Sequence, residues 1–150
     1  MDRDDIVSTL NGLIETCKDG EEGFRSCAEN VTSMELKSYF NSRSERCAVA
    51  AEELQDLVQS YGGIPKTSSS VSGTLHRRWL DIKSAITGKD EEAVLNECER
   101  GEDVAKHNYQ KALEKDLPED VRIVVERQYQ GVQTNHDQVR DMRNQARARN

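Results

Sequence analysis

Four separate stretches of this chain carry apolar residues in alternating steps of four and three, and this rhythm constrains the fold more than any other feature. The first stripe is Ile6, Leu10, Leu13, Cys17, Gly20, Phe24, Cys27 and Val31. The second is Leu36, Phe40, Arg43, Cys47, Ala50, Leu54, Leu57 and Tyr61. The third runs Val94, Cys98, Gly101, Ala105, Asn108, Ala112, and the fourth Val121, Val125, Gln128, Val132, Asn135, Val139, Met142, Ala146. Such spacing keeps one face of a helix turned toward its neighbours, and no segment alternates as a half-buried strand would. The expectation is an all-α four-helix bundle forming a single domain over 1–150. Its helices fall at about 4–31 (A), 33–61 (B), 90–115 (C) and 118–147 (D).

The ends of the stripes carry their own signals. Thr32 followed three residues later by Glu35 forms a capping box, which places a break near Val31–Ser33. Gly88 followed by Asp90, Glu91 and Glu92 reads as a stop, a cap and a dipole-favoured first turn. Asp116 and Pro118 open the last helix. The first stripe passes unbroken through Asp19-Gly20, so helix A is expected to continue there despite a glycine cost of about 1 kcal/mol. Between B and C lie Gly62-Gly63-Ile64-Pro65, a serine-rich stretch to Gly73, and a short amphipathic helix at about 75–87. In that helix Leu75, Trp79, Ile82 and Ile86 share one face, and Trp79 is the expected anchor. Short turns make A–B and C–D antiparallel pairs, whereas the long B–C connection suits a crossover along the bundle.

The segments LIETCKDGEEGF, YGGIPKTSSSVSGTLHRRW and ECERGEDVAKHNYQKAL, in this order and spacing, resemble an uncharacterised bacterial ferritin-like family known as four-helix-bundle proteins with a domain of unknown function. The resemblance covers nearly the whole chain. It implies the ferritin-like fold and a bacterial cytoplasmic setting, and it names no reaction.

Charge and composition exclude several partners. A net charge of −7 leaves no broad basic surface for a nucleic acid. The local arginines from Arg140 to Arg149 suit a helix C-terminus. No apolar run is long enough to span a membrane, and MDRDDIVSTL lacks the features of a signal peptide, so the expected compartment is the cytoplasm. The four cysteines form no CxxC, so reduced, buried thiols at Cys17, Cys47 and Cys98 are expected, sharing one layer. A soft-metal or redox role is the alternative for that layer.

A di-iron carboxylate bundle needs a Glu on each of two helices and Glu-x-x-His on each of the others. This chain departs from that pattern. Helix B has no histidine, Glu15, Glu22 and Glu29 project outward from A, and Gln133-x-x-His136 stands where Glu-x-x-His would be. Two arrangements remain open near mid-bundle. Glu21, Glu102 and His136 lie beside their stripes and form a degenerate ligand set for iron or manganese. Alternatively Arg43, Glu102, Asn135 and His136 form a polar core layer with the carboxylate ionised opposite the guanidinium. No cofactor is expected in the second case. His107 should face solvent, and Tyr109 and Tyr129 should project outward as contact residues. The functional reading is a non-catalytic structural or interaction bundle, such as a stress-associated accessory protein that forms a homo-oligomer. The alternative is a ferritin-like metalloprotein with a degenerate site. The sequence indicates no protein partner beyond a second copy.

Overall fold

The computed structural model describes residues 1–69 and 91–149. Four helices account for most of them: α1 (Arg3–Glu29), α2 (Met34–Ser60), α3 (Glu91–Leu113) and α4 (Glu119–Arg149). No strand occurs among the described residues. None of their helices is long and apolar enough to cross a membrane. The expected short helix and its Trp79 lie outside the described residues.

The helix starts follow from local chemistry. Asp2 caps α1 by accepting from the Asp5 amide at 2.8 Å, and Asp4 and Asp5 in the first turn complement the dipole. The cap of α2 is Ser33, whose Oγ accepts from the Leu36 amide at 3.2 Å, rather than Thr32. Val31 is held in the core at 3% exposure, so the chain completes its turn one residue later than the capping-box motif suggests. α1 runs straight through Asp19-Gly20, and both residues are buried.

Side-chain pairs fix the helix directions. Thr16 and Cys17 meet Asn108 and Tyr109, while Cys27 meets Cys98, so α1 and α3 are antiparallel. Tyr61 donates to Asp120, Gln128 to Ala50, and Tyr39 to Asn135, so α2 and α4 are antiparallel as well. α2 and α3 therefore run in the same direction. The end of α2 lies beside the starts of α1 and α4. The start of α3 lies at the opposite end, where Glu91 and Glu92 pair with Arg149 and Arg147. The two ends that the B–C connection joins thus lie at opposite ends of the bundle, about 40 Å apart for helices of this length. The first residues of the connection already turn back along α1. The Asn11 side chain donates to the Ile64 carbonyl at 3.2 Å and accepts from the Lys66 amide at 2.8 Å. Gly63 permits this return, because a Cβ there would stand 2.7 Å from a Val7 methyl.

The interior is divided lengthwise. One apolar cluster gathers Phe24, Phe40, Val94, Leu95 and Val139, and a second gathers Leu10, Ile14, Leu54, Val58 and Val125 toward the other end. Polar side chains, including Glu102, Asn135 and Gln128, are buried as well.

Candidate functional site

Two groups of polar residues result from adjacent positions on α3 and α4. Consecutive helical residues point about 100° apart, so Glu102 and Asn135 face the interior while Asp103 and His136 face the outer α3–α4 seam. The interior group is tightly connected. Asn135 donates through Nδ2 to the Glu102 carboxyl, and its Oδ1 accepts from the Tyr39 hydroxyl. Glu102 is only 4% exposed. Burial pushes its carboxyl up to about 7, against the opposing influence of the Arg43 guanidinium and the Asn135 hydrogen bond. The expectation of a fully ionised Glu102 therefore does not hold: desolvation outweighs the arginine. Arg43 makes no hydrogen bond with its buried Nε, and its guanidinium stands 5.9 Å from the Phe24 ring centre.

A second chain of hydrogen bonds crosses the bundle nearby. The Tyr109 hydroxyl donates to Gln128 Oε1 at 2.8 Å, which leaves the Cys17 thiol, 3.2 Å away, to donate to the tyrosine. Gln128 in turn donates to Glu53 at 2.8 Å, and Arg127 pairs with the same carboxylate. Tyr109 is thus a buried interior residue and does not project outward as a contact residue, because its hydroxyl has partners on both sides. Tyr129 is half-buried and accepts from Gln110 and Gln133, while His107 is exposed.

The thiols are distributed differently from the expected single layer. Cys17 is buried, and burial pushes its thiol up to about 11. Cys47 is only half-buried, because its side chain borders a cavity, and it packs closely over Gly20. Cys98 is fully buried, but its neighbour is Cys27, with the two Sγ atoms 2.8 Å apart. The role of Cys27 was not evident from the stripes, which assign it to ordinary core.

At the outer seam, Glu99, Asp103 and His136 each offer one ligand atom, and these atoms lie within 4.8 Å of one another. His136 Nε2 is 2.6 Å from Asp103, and His136 Nδ1 is 3.5 Å from Asp137. Arg143 pairs with one Glu99 oxygen at 2.6 Å, while the other is buried without a hydrogen-bond partner. Among the described residues no other trio of this kind forms, so Glu21, Glu102 and His136 do not converge as one ligand set. Glu21 instead pairs with Lys18 and Arg25 on its own helix. Of the expected polar layer, Glu102 and Asn135 hydrogen-bond and Arg43 acts on the carboxyl through space, but His136 turns away to the seam. The spacing Glu99-x-x-x-Asp103 was the available signal for the seam, since residues four apart share a face.

The interior does not fit a di-iron centre. Among the described residues the buried carboxyls are Asp19 and Glu102 alone, accompanied by amides, a guanidinium that repels cations, and thiols, where such a centre needs four carboxylates and two imidazoles.

The fold matches a solved structure, a Dps protein from Vibrio cholerae O1 described as a member of a broad superfamily of ferritin-like diiron-carboxylate proteins. The TM-score is 0.74, at 15% identity, over 93% of this chain and 89% of that one. No curated protein matches the sequence. Residues 5–115 match the model of a domain of unknown function, DUF2383. The chain belongs to the DUF2383 family and has the ferritin-like fold.

Proposed function

We propose that this protein is a non-catalytic ferritin-like bundle of the cytoplasm that holds a single divalent cation at the α3–α4 seam. The observation that carries this reading is the convergence of Glu99, Asp103 and His136, with one buried Glu99 oxygen lacking a hydrogen-bond partner. Two carboxylates and an imidazole suit borderline ions such as iron(II), manganese(II) or zinc. The second ring nitrogen, 3.5 Å from Asp137, is buried without a hydrogen-bond partner, so polar groups of this seam are left unsatisfied on both helices. A cation there would cross-link α3 to α4.

Equilibrium dialysis of protein purified without chelators, against manganese or zinc with elemental analysis, tests this reading. One equivalent is expected, with binding weakened at least tenfold in Asp103→Asn and His136→Ala and unchanged in Glu102→Gln. Equal binding by all the variants, or a loss confined to Glu102→Gln, would refute the seam site.

The Cys27–Cys98 pair supports a second reading, as a thiol sensor. Peroxide would convert the two thiols to a disulfide with release of two waters, linking α1 to α3. Peptide mapping without reductant should then show residues 27 and 98 joined. Unlinked peptides after global oxidation would exclude it.

A further inference from the structure

A cavity of about 230 Å³ penetrates the bundle between α2 and α4. Its mouth is formed by Arg46 and Val49 on α2 and by Arg127 and Gly131 on α4, all exposed. Its inner wall includes Phe24, Ala105, Val132 and Tyr109, and Arg43 and Glu102 bring charge to it. An apolar cavity of about 150 Å³ in a protein core can take up benzene, so this one has room for an aromatic ring and a short polar arm.

The electrostatics of the lining select the sign of that arm. Three guanidinium groups, of Arg43, Arg46 and Arg127, face two carboxyls, Glu53 and Glu102. Arg127 and Glu53 satisfy each other, and the Glu102 carboxyl is engaged by the Asn135 amide. Arg43 forms no ion pair among the described residues, and its Nε is buried without a partner. In a chain of net charge −7 this is a local cationic excess beside an apolar chamber. We infer that the cavity is a binding site for a small aromatic carboxylic acid, its ring against Phe24 and Val132 and its carboxylate on Arg43 and Arg46.

Gly131 provides a selective way to close the site. Gly131 lines the cavity mouth in the middle of α4, and a Cβ built there meets nothing within 4 Å, so a leucine there is expected to cover the mouth. Calorimetric titration of the whole chain with phenylacetate, with 2-phenylethanol as its uncharged analogue and with acetate, reads the proposal. Phenylacetate should bind at least tenfold more tightly than the alcohol, and acetate should show no saturable binding. Arg43→Met should reduce phenylacetate affinity at least tenfold. Gly131→Leu should abolish binding while its Tm is unchanged or higher, which separates occlusion from unfolding. Equal affinity for acid and alcohol, unchanged binding in Gly131→Leu, or no binding of phenylacetate at millimolar concentration would each overturn the proposal.

Discussion

Glu102 shows how neighbouring effects compete at a single residue. The stripes put it at mid-bundle beside Arg43, and opposite charges at that position suggest an ionised pair. What the sequence does not reveal is the depth of burial, which here raises the carboxyl to about 7 despite the guanidinium. A folded-state value above the unfolded one of about 4.3 means that the native protein binds the proton more tightly. Its contribution to stability is complete below pH 4 and declines as pH rises toward and through 7. The loss is on the order of 3–4 kcal/mol, at about 1.4 kcal/mol per pKa unit. Urea midpoints at pH 5 and pH 8 should therefore differ less in Glu102→Gln than in the wild type. An identical pH dependence in both would place the titrating group elsewhere. Arg43→Met removes the main opposing influence, so an NMR titration of the Glu102 side chain should give a value above 7.

For the helices the sequence was more informative, because each apolar stripe repeats over many turns and errors average out. α1 continues through Gly20 as its stripe suggests, and the direct approach of Cys47 shows what a side chain there would obstruct. Caps depend on one residue, so they are less legible. Ser33→Ala should cost about 1 kcal/mol, and Thr32→Ala much less, in thermal or urea unfolding. The reverse ranking would restore the capping box to Thr32. The seam site escaped for a similar reason. A rotation of about 100° per residue separates Asn135 from His136 and Glu102 from Asp103, and the stripes fix the inward member of each pair without showing what gathers on the other side. Arg143 holds one Glu99 oxygen, so Arg143→Met should free that ligand and raise manganese affinity several-fold. Weaker binding in that variant would mean that the arginine positions Glu99 for the cation.

On the scale of the molecule, two helical hairpins face each other, and the connection that joins them links opposite ends of the bundle. Contacts within a hairpin are close in sequence, whereas Thr16–Asn108 and Cys27–Cys98 lie far apart along the chain. Local contacts form first because they close short loops, so the hairpins are expected to be preformed when they meet. Apolar stripes alone match at several offsets one heptad apart. Asn135, already held to Glu102 within its own hairpin, meets Tyr39 of the other hairpin at only one, since a slip would leave the buried Asn135 oxygen without its donor. These side chains then act as an address that the docking hairpins must read. Disrupting them with Asn135→Leu should slow the last folding step, or populate an off-register intermediate, more than it lowers equilibrium stability. Stopped-flow refolding compared with urea denaturation would show this as a folding rate that falls by more than the change in stability requires. A rate that falls no more than stability would assign the alignment to shape alone.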